Sequence, residues 1–137
     1  MKKGNDHTIM LVDDEESIRA TLSDVLSDEG FRVITAADGD SALAQIEANA
    51  PDLIILDVMM PVLDGFQTLR LLKEKPETAS IPIIMLTVRG SDADVRHGWA
   101  DGVDLYLTKP FETSDLIAST KRILEDREPD QEAEDAL

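Results

Sequence analysis

Five short apolar segments, separated by stretches with helical periodicity, are the feature that most restricts what this chain can fold into. Each segment is rich in Ile, Val and Leu, and most lack the apolar–polar alternation of a strand with one solvent-facing side. Strands of this composition are typical of parallel sheets that helices cover on both faces. The segments lie at residues 8–12, 31–35, 52–56, 81–86 and 103–107.

The stretches between these segments carry apolar residues at helical spacing. In the first, Ile18, Leu22 and Leu26 recur every four residues, and Gly30 supplies a C-terminal stop. The other predicted helices are one around residues 42–46 that ends before Pro51, one capped by Asp64, a weak one over residues 92–100, and a last one capped by Thr113 or Ser114. Five β–α repeats predict a doubly wound α/β fold with a five-stranded parallel sheet and right-handed crossovers.

Length and charge restrict the class of protein. The 137 residues suffice for one domain with a substantial core. A net charge of −16 opposes direct binding to nucleic acid or to anionic membranes, because their phosphates repel an acidic surface. No apolar run is long enough to span a bilayer and no secretory signal is recognisable, so we expect a cytoplasmic protein without a membrane partner. The lack of cysteine excludes disulfides and thiolate metal sites.

The pattern also suggests where the domain begins and ends. We expect a flexible N-terminus at residues 1–7, the folded domain at residues 8–125, and an acidic tail or linker at residues 126–137. The stretch 125–137 holds seven acidic residues against one arginine, a net charge of −6. Such a run is typical of a solvated segment.

Polar side chains stand where the predicted strands end. Asp13 and Asp14 follow the first strand, Asp57 the third, Thr87 the fourth and Lys109 the fifth. Each position has an ordinary interpretation when taken singly, such as a loop cap or a solvated side chain. In doubly wound sheets, however, the carboxyl ends of the strands form the ligand-binding edge. We therefore expect these five side chains to meet.

Three adjacent carboxylates repel one another unless a cation joins them. Oxygen ligands without nearby His or Cys favour a hard ion, and no calcium-loop motif is present, so Mg²⁺ is the predicted cofactor. A carboxylate such as that of Asp57 can attack phosphorus and form an acyl phosphate. Lys109 and Thr87 would then supply a positive charge and a hydrogen bond to the phosphoryl oxygens.

Four ordered motifs make the chain resemble the receiver domain of bacterial two-component response regulators. The motifs are IMLVDDE at residues 9–15, LDVMMP at 56–61 with Asp64-Gly65, IIMLT at 83–87 and YLTKPF at 106–111. The resemblance covers roughly residues 8–125. It implies the flavodoxin-like (βα)5 fold with strand order 2-1-3-4-5, which periodicity alone does not provide.

The resemblance also implies a role for each residue of the edge. Asp57 would be the phospho-acceptor, loaded from the phosphohistidine of a sensor histidine kinase or a phosphotransfer protein. Asp13, Asp14 and Asp57 would bind Mg²⁺ with the backbone carbonyl of Met59, Asp13 directly or through water. Lys109 would pair with the phosphoryl group through a segment whose Lys109–Pro110 bond is cis in the family.

Thr87 and Tyr106 resemble the family's switch pair, in which the hydroxyl moves toward the phosphoryl group and the ring turns inward. The helix over residues 92–100, the fifth strand and the last helix would report the change. The implied partner downstream is a protein or a fused output domain, and homodimerisation on activation is compatible with the family. The chain would be a signalling phospho-acceptor with slow self-dephosphorylation and not a turnover enzyme.

Three other functions fit parts of the pattern. An aspartate-nucleophile phosphatase needs an acid two residues after Asp57, where this chain has Met59. A flavodoxin-like nucleotide binder needs a phosphate loop without the acidic run that begins at Asp13. A degenerate receiver that only binds partners is expected to have lost Asp57 or Lys109. The chain departs from the family at Val88, where Ala or Gly is common, and we expect this bulk to narrow access to Asp57.

Overall fold

The computed structural model describes residues 6–60, 63–88 and 102–127. Strands and helices alternate, as the apolar segments predict. In chain order they are β1 (Thr8–Val12), α1 (Glu16–Asp28), β2 (Arg32–Ala36), α2 (Gly39–Ala48), β3 (Leu53–Asp57), α3 (Gly65–Glu74), a short α4 (Pro76–Ala79), β4 (Ile83–Val88), β5 (Leu105–Lys109) and α5 (Thr113–Arg127).

All five strands form one parallel sheet in the order β2-β1-β3-β4-β5, which confirms the expected topology. In the register of the central pairs, Ile55 of β3 lies beside Leu11 of β1 and Ile84 of β4. β3 is therefore paired on both edges, whereas β2 and β5 are the outer strands. The strand order reverses between β1 and β3, and that is where a doubly wound sheet forms its ligand crevice.

Apolar side chains from the same strands supply two cores, one on each face of the sheet. Met10 and Ile54 point to a core shared with α2 and α3. Ile9 and Ile55, which are adjacent to Met10 and Ile54 in the sequence, point to a core shared with α1 and α5. Every residue of β3 is buried. This two-sided burial is the reason why the strand sequences show no apolar–polar alternation.

Local signals explain where the helices start and stop. Asp64 caps α3, since its side chain accepts the Gln67 N–H at 2.9 Å while the Gln67 side chain accepts the Asp64 N–H at 2.9 Å. The side chain of Asp38 caps α2 by accepting the Ser41 N–H at 2.7 Å. After α1, Gly30 has φ 96°, a left-handed conformation that a glycine adopts without steric cost.

Some element limits differ from the prediction. β3, β4 and β5 each end one or two residues later than their apolar segments, so that Asp57, Thr87 and Lys109 belong to strands. α5 already includes Thr113 and Ser114, so neither residue is its N-terminal cap. Glu112 precedes the helix, and the Glu112 carbonyl accepts the Leu116 N–H. The short α4 was not predicted, because four residues carry no periodic pattern.

Other expectations concern residues at the margins of the described ranges. The helix expected at residues 92–100 lies outside the described residues, as do residues 1–5 and 128–137 of the two expected termini. His7 is described, and it is buried, with its carbonyl accepting the Arg32 N–H at 3.0 Å. The domain limits at residues 8 and 125 stay predictions. Within the described ranges, no helix is long and apolar enough to cross a bilayer.

The two adjacent leucines of α3 offer a test of the core on this face. Leu72 is 1% exposed and its neighbour Leu71 is 38% exposed. We expect Leu72→Ala to lower the free energy of unfolding by about 2 to 5 kcal/mol, because it removes buried methyl groups and leaves a cavity. Leu71→Ala, the matched control, should cost about 1 kcal/mol or less. Urea denaturation measures both, and equal losses would contradict the assignment of Leu72 to the core.

Candidate functional site

Two acidic side chains and one lysine meet at the carboxyl edge of the sheet. Asp13 directly follows β1, Asp57 ends the neighbouring strand β3, and Lys109 ends β5. The Lys109 Nζ lies 3.2 Å from Asp13 Oδ2 and 3.5 Å from Asp57 Oδ1. The predicted convergence of these residues is therefore present in the fold, with the ammonium group between two carboxylates.

Asp13 is fully buried and is held by several contacts. Its Oδ1 accepts the Glu15 N–H at 2.9 Å, while its Oδ2 faces Lys109. Its own N–H donates to the Ala36 carbonyl at 3.2 Å, next to the end of β2. These bonds fix the orientation of the Asp13 carboxylate at the carboxyl edge of the sheet.

Asp57 is 2% exposed, and its surroundings disfavour its charged form. The pKa of Asp57 is raised from 3.8 to about 6, chiefly by burial and further by the negative charges of Asp13 and Asp14. Lys109 and the Met59 N–H, which donates to Asp57 Oδ1 at 3.3 Å, act in the opposite direction. At pH 7 and above, Asp57 is thus an ionised carboxylate with little solvation, which suits a nucleophile.

Lys109 keeps its charge in this site. Burial by itself would lower the pKa of the Lys109 amine, but the carboxylates of Asp57 and Asp13 outweigh burial and raise it. The following Lys109–Pro110 peptide is cis, as the family resemblance implied. Lys109 is therefore a permanent positive charge at neutral pH, placed beside the acidic pair.

Carboxylate oxygens of Asp13, Asp14 and Asp57 lie within 4.8 Å of one another and form a group that could hold a metal ion. Asp14 is exposed, whereas the other two are buried. The donors are all oxygens, which fits a hard divalent cation such as Mg²⁺. An exposed member also leaves a side on which water and a phosphoryl oxygen can complete the coordination.

Comparison with known proteins shows the family to which this chain belongs. The model of the response regulator receiver domain matches residues 9–121. The chain belongs to the response regulator receiver family. It is therefore the receiver domain of a two-component response regulator, and its fold agrees with that of receivers of known structure.

Individual relatives show how far the likeness extends. The chain is 42% identical over 122 residues to the phosphate regulon transcriptional regulatory protein PhoB of Rhizobium meliloti, covering 89% of this chain and 54% of that protein. It is 42% identical over 113 residues to PilG of Pseudomonas aeruginosa, covering 82% and 84%. The chain thus spans about half the length of the PhoB relative.

Solved structures give the same result. The chemotaxis response regulator CheY4 of Vibrio cholerae superposes with a TM-score of 0.79 at 37% identity, covering 86% of this chain and 98% of that one. The receiver domain of a histidine kinase from Syntrophus aciditrophicus superposes with a TM-score of 0.85 at 31% identity, covering 91% and 95%.

The residues predicted to switch the receiver lie on neighbouring strands. Thr87, in β4, is 1% exposed. Tyr106, in β5, is half-buried against the core on the α2 and α3 face. Thr87 thus lies at the same edge of the sheet as Asp57 and Lys109, while Tyr106 lies three residues before Lys109 and is the second residue of β5.

Met59 and Val88 are unusual for apolar residues in this receiver, because they are exposed. Met59 is 58% exposed and Val88 is 44% exposed. Met59 contributes its backbone N–H to Asp57, and Val88 pairs with Lys109 in the sheet register. They place apolar surface beside a strongly charged edge.

Two residues that shape the site were not assigned a role from the sequence. A Cβ on Gly65 would lie 2.4 Å from the Asp57 carbonyl oxygen, so only glycine lets α3 start this close to β3. Its position directly after the capping Asp64 is a signal that could have revealed this. Arg19 of α1 donates from Nη1 to the Asp13 carbonyl at 2.7 Å. No sequence pattern marks that contact.

The burial of Asp57 should appear in the stability of the metal-free receiver. Between pH 3.8 and about 6 the folded protein holds a proton that the unfolded chain releases, so the free energy of unfolding falls as pH rises through this window. At pH 7.5, above both pKa values, the ionised Asp57 lowers the free energy of unfolding by its full amount. We expect Asp57→Asn to stabilise the protein by about 1 to 3 kcal/mol at pH 7.5, and by about half as much at pH 5.

Chemical denaturation with EDTA present measures both values. Asp24→Asn is the matched control, since Asp24 is an exposed acid of α1 and its replacement changes the net charge by the same amount. Equal gains for Asp57→Asn and Asp24→Asn at both pH values would contradict the burial cost.

Proposed function

We propose that this receiver stores a phosphoryl group on Asp57, taken from the phosphohistidine of a histidine kinase or a phosphotransfer protein. The observation that carries the proposal is the position of Asp57, which is 2% exposed with the Lys109 Nζ 3.5 Å away. The site combines a desolvated carboxylate with a fixed counter-charge. These are the requirements of phosphoryl transfer to an acid, which depends on positioning and charge neutralisation.

In this reaction a carboxylate oxygen of Asp57 attacks phosphorus in line with the bond to the donor imidazole. The P–O bond forms, the P–N bond breaks, and the imidazole nitrogen keeps the electron pair and takes up a proton. Asp57 is ionised for this attack at neutral pH, because its pKa is about 6. Lys109 stays protonated and pairs with the added phosphoryl charge of roughly −1.5 to −2.

We propose Mg²⁺ as the cofactor, held by Asp13, Asp14, Asp57 and the Met59 carbonyl. When bound, Mg²⁺ neutralises charge on the phosphoryl oxygens and on the three carboxylates. The residues of the chain prepare for it. Asp13 is oriented by the Glu15 N–H and Asp57 by the Met59 N–H, so two of the oxygen donors are in fixed positions before any ion arrives.

The phosphoryl group then acts through Thr87 and Tyr106. The buried hydroxyl of Thr87 is a donor at the same edge, and its movement toward the new oxygens would free space that the half-buried ring of Tyr106 can fill. The change would reach a downstream protein or a fused output domain through β5 and α5. The residues 92–100 assigned to the same surface lie outside the described ranges.

The first test is the intact mass of the protein after incubation with Mg²⁺ and a small phosphodonor such as phosphoramidate. We expect the wild type to gain one phosphoryl group and Asp57→Asn to gain none. Asp64→Asn is a matched control at the start of α3, and it should still be modified. No gain by the wild type with either the small donor or a histidine kinase would contradict the assignment of Asp57 as the acceptor.

We also propose that Met59 and Val88 prolong the life of the acyl phosphate. Their exposed side chains place apolar surface at the carboxyl edge of the sheet where Asp57 lies, and Met59 offers no side-chain acid or amide to orient an attacking water. Storage of the phosphoryl group, and not rapid turnover, is the expected behaviour of such a site.

This role of Val88 predicts a change in rate. Val88→Ala should speed dephosphorylation and loading from a small donor by about fivefold, equivalent to about 1 kcal/mol in the barrier, because water and donor reach Asp57 more easily. Release of inorganic phosphate from the purified phosphoprotein measures the first rate. Leu71→Ala, which removes a similarly exposed apolar side chain on α3, should change neither. Equal rates for wild type and Val88→Ala would refute the idea.

A further inference from the structure

Arg19 makes a contact that neither the fold nor the proposed chemistry requires on its own. It is the fourth residue of α1, and its half-buried side chain reaches back toward the end of β1. There its Nη1 donates a hydrogen bond of 2.7 Å to the carbonyl oxygen of Asp13, six residues earlier. The bond joins a helix side chain to the backbone of the acidic loop.

The positive charge of Arg19 is unfavourable at this position in α1. Positive charge near a helix N-terminus opposes the helix dipole, which favours acidic residues there, as Glu16 illustrates. A half-buried arginine also loses side-chain entropy when it holds one geometry. The contact with the Asp13 carbonyl therefore needs a compensating effect, and its location at the metal-binding edge suggests one.

The carbonyl of Asp13 belongs to the peptide unit that connects Asp13 to Asp14. Because a peptide unit is planar, a bond that fixes its carbonyl also fixes the amide nitrogen from which Asp14 continues. Asp13 is already held by the Ala36 carbonyl and the Glu15 N–H. Asp14 is exposed, so packing does little to orient it, and the orientation of this peptide sets the place from which its side chain starts.

We propose that Arg19 is a positioning residue for the divalent cation. By holding the Asp13–Asp14 peptide, it directs the Asp14 carboxylate toward those of Asp13 and Asp57 before the ion binds. The inference rests on the proposed function in one respect, namely that this acidic group binds Mg²⁺. It assigns to Arg19 no contact with the ion or with the phosphoryl group.

Positioning and simple electrostatics predict effects of opposite sign. If Arg19 acted only through its charge, its removal would strengthen Mg²⁺ binding, because one repelling cation near the site would be gone. If Arg19 positions Asp14, its removal weakens binding in spite of the charge gain. Loss of a residue that orients metal ligands typically costs 10- to 100-fold in affinity, and for this partly solvated contact we expect roughly tenfold.

The test is a Mg²⁺ titration of the unphosphorylated full chain at pH 7.5, followed by amide chemical shifts in ¹⁵N-labelled protein. The same spectra show whether each variant is folded. Arg19→Met removes both donor and charge, while Arg19→Lys keeps both. Arg32→Met is the control for the loss of one positive charge. Arg32 is exposed and begins β2, so it lies at the amino ends of the strands, away from the acidic residues at their carboxyl ends.

We expect Arg19→Met to bind Mg²⁺ roughly tenfold more weakly than wild type, Arg19→Lys to recover most of the affinity, and Arg32→Met to match or exceed the wild type. Unchanged or tighter binding by Arg19→Met would overturn the inference and leave the proposed function standing. If Arg19→Met does not fold, Arg19→Gln takes its place: Mg²⁺ binding roughly tenfold weaker than wild type supports the inference, and unchanged or tighter binding overturns it. A wild type that binds no Mg²⁺ at all would overturn the metal role itself, which separates the two failures.

Discussion

The burial of two neighbouring carboxylates is the constraint on which the rest of this receiver depends. Asp13 and Asp57 end neighbouring strands, and the sheet leaves them almost no solvent. Lys109 offsets part of the cost from the far strand β5, at 3.2 and 3.5 Å. The offset is incomplete, because burial, together with the charge of Asp13, still raises the pKa of Asp57 to about 6. The site therefore gains stability from anything that brings positive charge, which is a physical reason for it to bind a cation.

This constraint explains why the surrounding contacts are so closely fitted. Backbone N–H groups of Glu15 and Met59 each occupy one carboxylate oxygen, and so hold Asp13 and Asp57 in place against their repulsion. Gly65 allows the start of α3 to lie against the backbone of Asp57. Hydrogen bonds and steric fit thus orient the Asp13 and Asp57 carboxylates, which pairing with Lys109 alone would not do.

Much of the fold could be predicted from the sequence because burial leaves a direct pattern. Strands covered on both faces need continuous apolar residues, and β1 was predicted at its observed limits. The later strands extend past their apolar segments, since backbone pairing continues through polar residues such as Asp57 and Lys109. Strand order is a property of tertiary pairing, so periodicity could not provide it and the family resemblance did.

The acidic residues and Lys109 could be predicted as a group because parallel strands bring their carboxyl ends to one edge. The contact of Arg19 with Asp13 could not, because a long side chain that reaches a backbone carbonyl leaves no spacing rule. The same holds for α4, four residues starting at Pro76, in which the buried Thr78 hydroxyl donates to the Leu72 carbonyl of α3. Such contacts depend on which segments meet in the folded chain, and no pattern of residue spacing predicts them.

The burial of the strands is uneven across the sheet. All five residues of β3 are buried, whereas all five residues of β5 are only partly so. A strand with less buried surface opens at a lower free energy than one enclosed on both faces. Asp57 thus lies in a strand that is buried along its whole length, and its counter-charge Lys109 lies in a strand that is only partly buried. We therefore expect a change of charge at Asp57 to displace β5 at a lower cost in free energy than β3. The structural response would then spread from Asp57 toward the β5 side of the sheet.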